Sequence, residues 1–384
     1  MAEARDAVSA RVRADLLDSI RQRRREFETA GDKAQELRTL PAETVRTLRD
    51  MGAFWLKTPA ELGGTLLAPL DFCDVLEEFA YADTTTAWIV MVGNGGTGTA
   101  GGWLPDAGAR QVFAPGRPPP LVVGTPGPRG TGRAVAGGYV VSGRCGFASG
   151  VGHADWLLAG FRDTGGRLLV GVVPREHAQV VGSWRVAGLQ GTGSVDFRLD
   201  EVFVPAELTF ERAASACRGG ALFRQEAHVF LSNEVPPLCV GVARRALDEM
   251  TGLAELASSG AVFRAELGRA ETRVRAARLV HRDAVEAAWT AARASGGTPD
   301  SVHVAVAAAS VYAVETCADV IAGLFRYGGG QVLSLSSPMQ RYLRDTLAAR
   351  QHIGVSEENY ERAGRERVRS FARTHHTDSH TDSH

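Results

Sequence analysis

The pattern of apolar positions changes period twice along the chain. Leu37, Leu40, Val45, Leu48 and Met51 recur at steps of three to five residues, and Phe72, Val75, Leu76 and Phe79 repeat the pattern further on. A stripe of that spacing buries one face of a helix, so residues 1 to about 118 read as mostly helical, with a loop at Pro59-Ala60-Glu61-Leu62-Gly63-Gly64. From 119 to 223 the period shortens. The runs LVVGT, GGYVVSG, DWLLAGF, LLVGVVP and SVDFRLDEVFVP are rich in β-branched residues and are separated by glycine pairs and by Asp163-Thr164-Gly165-Gly166. Val195, Phe197 and Leu199 alternate with polar neighbours, as on a half-buried strand. This zone predicts a small antiparallel sheet or barrel. From about 224 the helical period returns in 236–257, 261–293 and 301–326, with Gly296-Gly297-Thr298-Pro299 as a breaker, and a final helix is expected from Pro338 to about Gly364. The tail, 371–384, is polar and histidine-bearing and is expected to be disordered. The predicted order is a helical domain over 1–118, a β domain over 119–223 and a helical bundle over 224–370: a mostly α fold with an inserted β domain.

Composition narrows the class without changing this picture. The 384 residues are 44% hydrophobic and 23% charged, with a formal net charge of -1, so no global field invites nucleic acid or an anionic membrane. Five dispersed cysteines without CxxC spacing argue against a disulfide framework or a zinc site and point to a reducing cytoplasm. The charged N-terminus does not read as a signal peptide, and no run approaches the roughly 20 apolar residues that span a bilayer.

Candidate chemistry lies in segments that succeed one another along the chain: LPAETVRTLRDMGAFWLKTPAELGG, EEFAYADTTTAW, SGRCGFASGVGHADW, GLQGTGSVDF with VFVP, FRAELG, and SSPMQRYLRDTLAARQHIGVS. Taken in order, they resemble the acyl-CoA dehydrogenase superfamily over nearly the whole length, and most closely its flavin-monooxygenase branch. The resemblance implies an N-terminal helical domain, a central β-barrel and a C-terminal four-helix bundle. It also implies reduced FMN or FAD supplied by a separate reductase, O2 as co-substrate, a flavin hydroperoxide, and a homotetramer. The substrate implied is a small organic molecule, aromatic or from natural-product biosynthesis, that is hydroxylated or N-oxidised.

The resemblance carries over to individual residues. Phe147, Ala148 and Ser149, followed by Gly150, match the strand end beside the flavin ring. Small residues there let backbone approach the ring, and the Ser149 hydroxyl stands near ring nitrogen N5. Thr192, Gly193 and Ser194 offer hydroxyls and amides suited to phosphate or ribityl oxygens. Trp184 matches a tryptophan next to the flavin. Arg264 matches an arginine that reaches flavin phosphate across a subunit interface, although Leu267 replaces the usual Phe. Gly330, Gln331 and Arg341 match a cofactor wall shared between subunits. His352 matches a histidine on the last helix that faces flavin and substrate and manages protons.

Three positions depart from the patterns. Ser336 stands where a common acyl-CoA dehydrogenase subtype has its glutamate base, which disfavours a dehydrogenase. Glu234 and Glu266 are the alternative carboxylates. Cys145 replaces a tryptophan of many relatives, and Gly93-Asn94-Gly95-Gly96 replaces a stretch that in some carries a histidine. Both changes remove bulk, and imply either a larger pocket or weaker flavin binding. The rival readings are a flavin-dependent dehydrogenase acting on an acyl thioester and a non-redox member that has lost flavin.

Overall fold

The computed structural model describes residues 2–116, 120–224, 234–256, 260–294 and 298–377. The chain divides into two compact units, one up to Arg224 and one from Gln225.

The first unit opens with helices α1 (Ala2–Gln22), α2 (Arg24–Leu37) and α3 (Ala42–Asp50), followed by α4 (Pro69–Ala82), α5 (Thr84–Trp103) and α6 (Asp106–Val112). The first apolar stripe expected from the sequence spans a break. Arg38 adopts a left-handed φ of 60° and Pro41 caps α3, so Leu37 is left exposed while Leu40, Val45 and Leu48 are buried. Proline has no amide proton to continue the first helix but suits the entry of the second. Helix α5 starts from Asp83, whose buried carboxylate accepts the Thr86 amide at 2.7 Å and the Thr86 hydroxyl at 2.8 Å.

Helix α5 packs against the sheet through its glycines. A Cβ at Gly96 would lie 2.1 Å from the Val122 carbonyl oxygen, and one at Gly93 would lie 2.7 Å from the Phe54 ring. These glycines therefore permit contact between elements and open no space, which speaks against the first of the two alternatives, a larger pocket, at Gly93 and Gly96. Asn94 between them is fully buried and makes four hydrogen bonds. Its Oδ1 accepts from the amides of Leu56 (2.8 Å) and Lys57 (3.2 Å), and its Nδ2 donates to Ala53 O (2.6 Å) and Val90 O (2.9 Å).

The β strands are β1 (Val122–Val135), β2 (Gly138–Cys145), β3 (Trp156–Asp163), β4 (Leu168–Pro174), β5 (Gln179–Val181), β6 (Asp196–Pro205) and β7 (Thr209–Glu211). They form one seven-stranded sheet in the order β5-β6-β2-β1-β3-β4-β7. The sheet is mixed, where an antiparallel one was expected. β1 runs parallel to β3 at its centre, with register shifts around Pro128, a residue that has no amide to give to the ladder. Cys145 ends β2 opposite Phe197 and is a core residue; burial pushes its thiol up to about 11, so it stays protonated.

The second unit contains α7 (Val235–Leu256), α8 (Ala261–Arg293), α9 (Asp300–Phe325), α10 (Pro338–Ala349) and α11 (Glu358–Thr377). Helix α9 is its centre and packs against the other four. By length and composition it is apolar enough to cross a membrane, but 67% of its most apolar stretch is buried inside the bundle.

The single last helix expected from 338 to 364 is two. A short 3-10 turn, Ile353–Val355, separates α10 from α11. Gly354 and the β-branched Ile353 and Val355 are weak helix formers, and the His352 ring caps the turn. Helix α11 continues to Thr377, so residues 371–377 of the expected disordered tail are helical; 378–384 lie outside the described residues.

Candidate active site

Two loops of the first unit are stitched side by side. In one, Phe147 to Gly150 follow β2; in the other, Leu189 to Val195 lead into β6. The Ala148 amide donates to Val195 O (3.1 Å) and the Gly150 amide to Thr192 O (2.9 Å). The second loop rests on α2, because a Cβ at Gly191 would sit 2.5 Å from the Ala34 Cβ. Gly150 has a φ of 74°, a conformation that costs glycine nothing, and a Cβ there would press on Ile89 at 3.3 Å. Asp196 tightens the corner: Arg144 Nε donates to its Oδ2 at 2.7 Å and the Phe147 amide to its Oδ1 at 3.3 Å.

The side chains between these loops form a continuous chain of hydrogen-bonding groups. Trp88 Nε1, from α5, donates to Ser149 Oγ at 3.0 Å. Ser149 Oγ lies 2.7 Å from Ser194 Oγ, which lies 2.6 Å from Thr192 Oγ1, and the Thr192 hydroxyl donates to Leu189 O at 2.8 Å. All four side chains are buried, Ser149 least at 8% exposure. The hydroxyls of Thr192 and Ser194 thus lie in contact with each other and with Ser149. Trp184 Nε1 also donates to Leu189 O, at 2.9 Å.

Above this polar chain stands an aromatic pair. The Phe147 ring is 80% exposed and meets Trp184 edge-on, with centroids 6.3 Å apart and planes at 90°. Phe147 also holds a left-handed φ of 58°, as does Leu189 at 52°. A bulky residue kept in that region, with its ring in solvent, costs stability and persists where the surroundings enforce it.

Trp88 lies in the segment EEFAYADTTTAW. Only the fold brings α5 under Ser149, so no local signal marks the indole as its donor. His153 was missed as well. Its Nε2 lies 3.0 Å from Thr39 Oγ1, and Arg49 donates to its carbonyl oxygen at 3.1 Å. Burial holds its pKa below the usual histidine value; a backbone hydrogen bond involving Leu40 opposes the shift, and the Arg49 charge adds to it.

The remaining candidates lie in the second unit. Arg264 is exposed on the first turn of α8, and neighbouring Phe263 stacks on Tyr327 with ring centroids 5.4 Å apart. That contact brings the Arg264 turn close to the segment carrying Gly330 and Gln331, both exposed. Arg341, by contrast, is buried within the unit. His352 sits in the loop after α10 and not on a helix. It is half-buried, and its Nδ1 accepts from the Gly354 amide at 3.2 Å. An accepting Nδ1 places the proton of the neutral ring on Nε2, and burial lowers the pKa from the usual histidine value, which favours that neutral form. Ser336 is exposed and shares a 2.7 Å hydrogen bond with Ser334. Of the alternative carboxylates, Glu234 is buried and Glu266 is ion-paired with Arg269. Among the described residues no cluster of His, Cys, Asp and Glu is arranged to hold a metal ion.

Residues 3–100 match the family model for the acyl-CoA dehydrogenase N-terminal domain and residues 236–357 the model for an acyl-CoA dehydrogenase C-terminal domain. The chain is 31% identical over 355 residues to the pigment production hydroxylase of a Rhodococcus species, covering 87% of this chain and 90% of the relative. It is 27% identical over 370 residues to the flavin-dependent monooxygenase, oxygenase subunit HsaA, of Rhodococcus jostii, covering 88% and 92%. Its fold matches that of XiaF from a Streptomyces species, solved in complex with FADH2 and glycerol, with a TM-score of 0.86 at 24% identity over 93% of this chain and 95% of that one. The chain belongs to the acyl-CoA dehydrogenase superfamily, in its branch of flavin-dependent monooxygenases.

Proposed function

We propose that this chain is the oxygenase component of a two-component monooxygenase. It hydroxylates or N-oxidises a small organic molecule, aromatic or from natural-product biosynthesis. A separate reductase delivers reduced FMN or FAD. When bound, the reduced flavin supplies the two electrons with which one atom of O2 enters the substrate and the other leaves as water. The observation that carries this reading is Phe147, an exposed phenyl ring held at φ 58° against the edge of Trp184, two residues before the buried Ser149 hydroxyl. This set of residues fits a flavin. The aromatic pair offers an apolar wall for a planar ring, Ala148 and Gly150 leave room for close approach, and Ser149 Oγ keeps one further hydrogen bond, a lone pair or its proton, for a ring nitrogen.

The other roles follow from the side chains. Arg264, with its forked donor set, and the exposed Gly330 and Gln331 hold the anionic tail of the cofactor, and Arg341 supports their unit from inside. Neutral His352, whose proton lies on Nε2, donates a hydrogen bond to the substrate. We take the assembly to be a homotetramer. Leu333, Leu335 and Ile353 are 68%, 84% and 85% exposed in the single chain, an apolar surface that association would cover. The five cysteines, none of them in a disulfide, accord with a cytoplasmic setting.

Anaerobic titration with FMNH2 and FADH2 tests the reading. Micromolar binding of at least one, weakened by Phe147→Ala, is expected. Failure to bind flavin in either redox state would leave the non-redox alternative. Reduction of bound flavin by an acyl-CoA alone would favour the dehydrogenase, for which Ser336 provides no base.

A further inference from the structure

Past the pair Cys145–Phe197 the pairing of β2 with β6 gains a residue. A regular antiparallel register would set Phe147 opposite Val195. Instead the Ala148 amide, one residue further on, donates to Val195 O at 3.1 Å. Phe147 is the extra residue, and the ladder leaves no carbonyl for its amide. That amide donates to a side chain, Asp196 Oδ1, at 3.3 Å. The other carboxylate oxygen accepts from Arg144 Nε at 2.7 Å. Neither bond can run the other way, because an amide and a guanidinium only donate and a carboxylate only accepts. Gly146 lets the carboxylate come this close: a Cβ there would lie 3.1 Å from Asp196 Oδ1.

The residue held in this way has a conformation that its own side chain disfavours. Phe147 has a φ of 58°, where a Cβ crowds the backbone. With 80% of the residue exposed, packing gives the ring little hold beyond its edge-on contact with Trp184. The hold comes from the backbone: the amide on Asp196, and the carbonyl oxygen, which accepts from the Ser149 amide at 3.0 Å. We infer that Asp196 is a positioning residue, whose carboxylate keeps Phe147 left-handed and so holds its ring out beside Trp184 as the wall against which flavin binds. The inference rests on the flavin reading above and goes beyond it, because Asp196 does this without touching the cofactor. With the acceptor gone, Phe147 relaxes toward the extended region and its ring leaves Trp184. Flavin must then bind a wall that has to be rebuilt, and loses affinity by that cost.

The test is a double-mutant cycle read by anaerobic titration of the full chain with FMNH2 and FADH2. Asp196→Ala, Gly146→Ala and Asp196→Asn are each made alone and together with Phe147→Gly. Asp196→Ala removes the acceptor. Gly146→Ala leaves the carboxylate in the chain but presses it off the amide. Each should weaken binding of the tighter flavin about fivefold, the worth of one hydrogen bond. Asp196→Asn keeps an oxygen for the amide and should stay within about twofold of the parent. Glycine adopts the left-handed conformation freely, so in the Phe147→Gly chain the same three substitutions should each change affinity by less than about twofold. A merely structural role would weaken binding equally in both backgrounds. Equal losses in the two backgrounds, parent affinity in Asp196→Ala or Gly146→Ala, or an asparagine variant as weak as the alanine one overturns the inference. Parent affinity in Phe147→Gly overturns it too, and leaves the flavin reading standing. A parent chain that binds neither flavin refutes that reading, and the inference with it.

Discussion

Asn94 sets a test of the packing that supports the site. In Asn94→Ala the amides of Leu56 and Lys57 lose their acceptor and Ala53 O loses its donor, all in a region where the replaced side chain was fully buried. Val90 O lies within α5 and keeps its place in the helix ladder, so its second bond counts for little. A buried polar group left unsatisfied costs about 1–3 kcal/mol, so three of them with partial relaxation should cost about 3–5 kcal/mol. Equilibrium urea unfolding followed by tryptophan fluorescence suits the measurement, because Trp55, Trp88, Trp103, Trp156 and Trp184 all lie in the first unit and only Trp289 lies outside it. Asn94→Asp separates the two halves of the network. It keeps an acceptor for the amides but sets a buried carboxylate against the Ala53 carbonyl, and should be no more stable than the alanine variant at neutral pH. A loss below about 1 kcal/mol in Asn94→Ala would refute the reasoning, since it would mean that water or a shifted loop satisfies those groups at little cost.

Three further outcomes are expected. Gly96→Ala drives a methyl into the Val122 carbonyl and should destabilise the first unit by about 1–3 kcal/mol in the same assay, whereas alanine at the uncrowded Gly268 should not. Phe147→Gly exchanges backbone strain for the lost Trp184 contact; stability should stay within about 1 kcal/mol of the parent while reduced-flavin affinity falls, and unchanged affinity would remove Phe147 from the site. The folded-state pKa of His352 is depressed, so the unfolded chain takes up its proton first as pH falls. Its contribution to stability is present above the unfolded value of 6.5 and is lost as pH drops through the folded value; His352→Gln should flatten that part of the stability–pH curve, read by thermal unfolding.

The boundaries of α7, α8 and α9 were legible because long helices repeat their apolar positions over many turns. Breaks were harder to read. The stripe from Leu37 to Met51 looks continuous until Arg38 turns left-handed, and the split at Ile353–Val355 depends on a capping His352 ring. The parallel pairing of β1 with β3 joins strands that are distant in sequence, which a local pattern does not specify. At the site, the motif around Ser149 was readable as small residues at a strand end. What Ser149 bonds to was not, since Trp88 is 61 residues away and Ser194 is 45. At positions 93 and 96 the sequence shows only missing bulk, because it records the absence of a side chain and not the neighbour that needs the space.

Helix α9 has a consequence for synthesis. Its apolar faces are covered by α7 and α8, which precede it, and by α10 and α11, which follow. When Phe325 leaves the ribosome only half of that cover exists, and the nascent chain presents a segment that satisfies the length and hydropathy of a membrane span. The helices that follow Phe325 therefore act on the fate of the chain as well as on its shape. Until they emerge α9 lacks half of its cover, and a chain interrupted after Phe325 is expected to aggregate, however well its first 224 residues have folded.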